Sequence, residues 1–98
     1  MKVRFADADL DRMETDPQWE GKRLPADVKA FRKRMQLIRA AADERDFYAM
    51  KGLHFEKLKG DRQHQYSMRL NDQWRLILEF EGHGAEKVVV VCGIEDYH

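Results

Sequence analysis

Tyr66-Ser67-Met68-Arg69-Leu70-Asn71-Asp72-Gln73-Trp74-Arg75-Leu76-Ile77-Leu78 is the stretch that decides the fold. Tyr66, Met68 and Leu70 alternate with Ser67 and Arg69, the two-residue period of a strand with one buried face. Asn71-Asp72 is a hairpin-type turn pair. Apolar residues resume beyond it at Trp74, Ile77, Leu78 and Phe80, so the chain returns as a second strand. The same period holds upstream, where His54, Glu56 and Leu58 alternate with Phe55, Lys57 and Lys59 before a Gly60-Asp61 turn. Downstream, Gly82-His83-Gly84 turns the chain again. Lys87 to Cys92 then contains four consecutive valines, the pattern of a strand buried on both faces and central in its sheet. Ile94 to His98 is expected to leave the sheet.

The first half of the chain has a different rhythm. Val3 and Phe5 alternate with Lys2 and Arg4, as in a short half-buried strand. Ala6, Leu10 and Met13 follow at helical spacing, with Asp7 and Asp9 near the helix start, where acids are favoured. Thr15-Asp16-Pro17 stops that helix, and Trp19 is expected to anchor the following loop in the core. Pro25 opens the clearest helix, at a position where its missing N–H costs nothing. Val28, Phe31, Met35, Ile38 and Ala42 form its apolar stripe, and Lys29, Arg32, Lys33, Arg34 and Arg39 its basic side. Asp43-Glu44-Arg45-Asp46 interrupts the stripe, and Phe47, Tyr48 and Met50 suit one further turn. The expected architecture is α+β: one domain over 1–98, with a small antiparallel sheet of four to five strands packed against N-terminal helices.

Ninety-eight residues support one hydrophobic core. The formal net charge is zero, yet residues 22–75 hold fourteen bases against seven acids. A neutral total thus conceals a basic middle, which suits either a solvated face or a phosphate-rich partner. The one cysteine, Cys92, excludes an intrachain disulfide and fits a reducing compartment. No apolar run is long enough to span a membrane, and no apolar signal core follows Met1. A cytoplasmic location without membrane attachment is expected.

The candidate chemistry lies in the back half. Lys57, Lys59, Arg62, Arg69 and Arg75 are positioned on or beside strands, where they suit a phosphodiester backbone or protect sheet edges. Asp96-Tyr97-His98 closes the chain with an acid-base trio. Histidine both takes and gives a proton near neutrality, and Asp96 together with the His98 α-carboxylate favours its charged form. Tyrosine donates a hydrogen bond or stacks on a base. A tag after His98 is therefore expected to lower activity, and one before Met1 to be tolerated. His54 is a second acid-base candidate. No His or Cys pair has metal-ligand spacing, and no glycine-rich phosphate loop exists. Neither a metal nor another cofactor is expected.

Three motifs in order, Leu-Lys-Gly-Asp-Arg (58–62), Tyr-Ser-Met-Arg-Leu-Asn-Asp-Gln-Trp-Arg (66–75) and Glu-Asp-Tyr-His (95–98), resemble the HigB-type toxins of the RelE/ParE superfamily. The resemblance implies a RelE-like, microbial-ribonuclease-like fold. It implies cleavage of messenger RNA in the decoding site of the ribosomal small subunit. It also implies restraint by a helix-turn-helix antitoxin of the HigA type, with operator DNA reached only through that antitoxin. On this resemblance the catalytic residues are Asp96, Tyr97 and His98, with His54 as the candidate sheet histidine; the charge that develops on a cleaved phosphate adds Arg75 to the catalytic set and places Lys57, Lys59, Arg62 and Arg69 on RNA phosphate. Several relatives carry their sheet histidine three residues before the turn lysine. Glu56 holds that place here, and His54 lies two residues earlier on the same strand face. Two other functions suit the same fold: a ParE-like gyrase inhibitor, and a noncatalytic module that binds RNA or antitoxin.

Overall fold

The computed structural model describes residues 1–96. Strand β1 (Lys2–Phe5) is followed by helices α1 (Ala8–Thr15), α2 (Pro25–Ala40) and the single turn α3 (Arg45–Ala49). Strands β2 (Glu56–Lys57), β3 (Tyr66–Arg69), β4 (Trp74–Glu81) and β5 (Val88–Asp96) complete the chain, and 3-10 turns precede β2, β3 and β5. The sheet runs in the order β1-β5-β4-β3-β2.

Local chemistry sets the helix ends. The Asp7 carboxylate accepts the backbone N–H groups of Asp9 and Leu10 and so caps α1. Leu24 offers no side-chain cap to α2, which starts instead on Pro25. At the other end of α2, the α-ammonium of Met1 donates to the carbonyls of Ile38 (3.4 Å), Arg39 (2.9 Å) and Ala41 (2.7 Å). A positive charge there satisfies orphan carbonyls and complements the helix dipole.

The apolar stripe of α2 is the centre of the core. Val28, Phe31, Met35 and Ile38 are fully buried against Leu10 and Met13 of α1 and against Met68, Leu76, Leu78, Val89 and Val91 of the sheet. Phe47, Phe55, Tyr66 and Phe80 extend this core as an aromatic cluster, with Phe55 stacked on Tyr66 at 5.4 Å. Ile77 and Val90 are equally buried but stand apart from the cluster under the helices. The valine strand is therefore covered on both faces and lies between β1 and β4, as its sequence predicts.

Three expectations need correction. The sheet is mixed, because β1 pairs with β5 in parallel, Lys2 opposite Val88 through Phe5 opposite Val91. Period two identifies a strand but says nothing of its partner's direction. Ile94 to Asp96 stays in the sheet, with Trp74 opposite Asp96 and Arg75 opposite Glu95. A bulge makes this possible. Ile77 faces Gly93 while Leu78 faces Val91, so Cys92 is the extra residue. Finally, the strand expected from His54 to Lys59 contracts to Glu56–Lys57, since His54 adopts a left-handed conformation (φ 48°, ψ 43°) that breaks the pleat.

Candidate active site

Alternation along β4 sends Trp74, Leu76, Leu78 and Phe80 toward the helices, and Arg75, Ile77, Glu79 and Glu81 to the opposite, open face. Cross-strand partners share a face. Arg69 of β3 stands opposite Arg75, and Glu95 of β5 flanks Arg75 on its other side. On β2, Glu56 faces Ser67. His54 precedes this strand in its left-handed conformation, so the strand register does not extend to it. One row across the open face thus holds Arg69, Arg75 and Glu95, whereas Asp96, opposite Trp74, belongs to the neighbouring helix-side row.

Arg62 reaches this row from the 3-10 turn Gly60–Arg62. Its Nη1 and Nη2 donate to the two oxygens of Glu95 at 2.9 and 2.6 Å. Its Nε donates to Gln65 Oε1 at 3.0 Å, and Gln65 in turn donates to Glu79. Arg75 pairs with the same Glu95 carboxylate at 3.6 Å, while its own Nε is buried and meets no acceptor among the described residues. The hydrogen bond from Arg62 is the main cause holding the Glu95 carboxyl below its usual range, and the bond from Gln65 does the same for Glu79. Burial, with Glu79 nearby, pushes the Cys92 thiol up to about 12, so this thiol is not a nucleophile.

The expected cations separate into two groups. Arg62, Arg69 and Arg75 gather on the open face. Arg69 is steered there by the carbonyl of Asn71 and the carboxylate of Asp72. Lys57 faces Tyr66 and so belongs to the helix-side row of the edge strand. Lys59 follows the strand and precedes the 3-10 turn. Both lysines are exposed, and Lys57 stands in a different row from Arg69. Asp96 is the exposed last residue of β5. Tyr97 and His98 lie outside the described residues.

Glu95 and Gln65 are the site residues that sequence reasoning overlooked. Gln65 immediately precedes a quoted motif and Glu95 opens another, and extending β5 to Asp96 would have set Glu95 beside Arg75. No group of His, Cys, Asp and Glu that would hold a metal ion occurs among the described residues. No helix among the described residues is long and apolar enough to cross a membrane. A concavity of about 800 Å3, lined by Leu10, Met13, Trp19, Leu24 and Trp74, lies on the helix side of β4, behind the row rather than in it.

A family model described as the RelE-like toxin of the type II toxin–antitoxin system HigB matches residues 3–98. The chain belongs to the HigB-like toxins. As a type II toxin it has an antitoxin as partner, and RelE-like toxins are generally endoribonucleases. Among solved structures, the chain is similar to a YoeB/ParE toxin from Agrobacterium tumefaciens. The two share 22% identity and a TM-score of 0.63 over 100% of both chains, a likeness of fold. No curated protein sequence matches the chain.

Proposed function

We propose that this HigB-like toxin is a metal-independent endoribonuclease that cleaves messenger RNA on the ribosome. The observation that supports the reading is the row on the open face, where Arg62 and Arg75 converge on Glu95, the residue before Asp96. Cleavage without a metal needs a base for the ribose 2′-OH, an acid for the departing 5′ oxygen, and cations for the charge on the phosphorane. His98 takes the acid-base work. Asp96 orients it or shares the base role, Tyr97 stacks on or hydrogen-bonds the substrate, and His54 supplies a second imidazole. Arg75 and Arg62 hold the scissile phosphate, and Lys57, Lys59 and Arg69 hold flanking phosphates. The antitoxin is of the helix-turn-helix HigA type, operator DNA is bound only through it, and the pair works in the cytoplasm.

Expression of the toxin alone, with RNA 5′ ends mapped, tests the reading. Growth arrest with new ends inside translated frames is expected. Its loss in His98→Ala, in a protein that still folds, is the second expectation, since a positioned acid or base contributes ~10²–10⁴-fold. Intact messenger RNA accompanied by DNA damage would instead establish gyrase inhibition.

A further inference from the structure

We infer that Glu95 is a built-in counter-anion that occupies the phosphate fork of Arg62 and Arg75 and is displaced when RNA binds. The inference rests on the phosphate role given to these arginines above. Arg62 offers two parallel N–H groups, and both carboxylate oxygens of Glu95 accept them, at 2.9 and 2.6 Å. A phosphate uses the same planar fork in the same way. Glu95 therefore stands where a phosphate oxygen pair belongs.

Two features make the carboxylate displaceable. Both partners are open to solvent, with side chains 38% and 40% exposed, and exposed pairs contribute little to stability. The fork also keeps its aim without Glu95, because Arg62 Nε is held by Gln65, itself tied to Glu79. Arg75 adds a second cation whose only ion pair among the described residues is the longer one to Glu95. An incoming phosphate thus meets two guanidinium groups already positioned, and the carboxylate swings into water. Weak single-phosphate competitors lose to Glu95, whereas RNA, anchored at neighbouring phosphates, wins. The toxin is in this way selective for a polymer over free phosphate.

The test uses binding of a 2′-O-methyl RNA oligonucleotide, which the toxin cannot cleave, to full-length variants. Glu95→Gln is expected to bind roughly fivefold more tightly than wild type, with a log–log salt slope steeper by about 0.7. Glu81→Gln removes the same charge from the same face, where it pairs with Arg4 at 2.8 Å, and is expected to leave affinity unchanged. The gain from Glu95→Gln should vanish in an Arg62→Ala background. Should Glu95→Gln fold poorly, carboxyl NMR of the wild type reads the same event, as a shift of the Glu95 carbon on adding the oligonucleotide. Equal or weaker binding by Glu95→Gln, with Arg62→Ala still impaired, would overturn the inference alone. Wild-type binding by Arg62→Ala and Arg75→Ala would overturn the phosphate reading and the inference with it.

Discussion

Arg32 donates from Nη2 to the backbone carbonyl of Trp19 at 3.0 Å, and the same guanidinium holds the carbonyls of Met13 (2.9 Å) and Asp16 (3.1 Å). One side chain of α2 therefore fastens the end of α1 and the loop after it. Arg32 belongs by sequence to the basic side of the helix, yet it is spent on structure. Arg32→Ala is expected to destabilise the protein by about 2 kcal/mol, since hydrogen bonds to charged groups are stronger than neutral ones. Lysine cannot reproduce the fork and should recover only part of the loss. Thermal melts followed by circular dichroism would read a fall on the order of 10 °C for the alanine variant.

His54 gives a separate handle on function. Its φ of 48° is the only positive value at a non-glycine residue of the described chain. Such a conformation costs an L-residue about 1 kcal/mol, and glycine adopts it freely. His54→Gly should leave stability unchanged or raise it slightly, while RNA cleavage falls at least tenfold. A variant that melts normally and cleaves at the wild-type rate would remove His54 from the catalytic set.

The depressed carboxyls fix the direction of the acid response. Asp43 is lowered to about 2, chiefly by hydrogen bonding to Arg45, and Glu44, Glu79 and Glu95 are lowered by Lys87, Gln65 and Arg62 respectively. A carboxyl whose folded pKa lies below its unfolded value contributes stability above the unfolded pKa, and that stability is lost as pH falls through the folded one. The melting temperature should thus hold steady near neutrality and decline between about pH 5 and pH 2. Glu95→Gln should flatten part of the decline in the same titration of melting temperature against pH. The pairs are exposed, so each step is small.

The Met1 ammonium predicts a cost for additions upstream of it. Sequence reasoning expects an N-terminal tag to be tolerated, but this group satisfies three carbonyls at the end of α2. Extending the chain before Met1, or acetylating the amine, removes charge and donors there. A loss of about 1–2 kcal/mol is expected, read as a lower denaturant midpoint than that of the untagged protein.

Much of this fold is legible in the residues. The α2 stripe, the Pro25 start, the Asn71 turn and the doubly buried valines all follow from period and turn chemistry, because local rules act over a few residues. The Asn71 side chain accepts the N–H groups of Gln73 and Trp74, the role its residue type announces. Long-range features escaped. The parallel seating of β1 on β5 depends on how the ends of the chain meet. The extension of β5 to Asp96 depends on a bulge at Cys92 that no residue type marks. The candidate site was legible as residue types but not as pairs. Nothing in the spacing of Arg62 and Glu95, 33 residues apart, indicates that they bind each other.

The position of β5 has a consequence for synthesis. It is the last strand made, yet β1 and β4 both pair with it and the core closes on Val89 and Val91. Until those valines leave the ribosome, β1 has no partner and α2 lacks much of the surface it packs against. Such non-local pairing must wait for its final segment. A chain that has not yet added β5 therefore lacks both the partner of β1 and a wall of its core, so the fold cannot close before this strand is made.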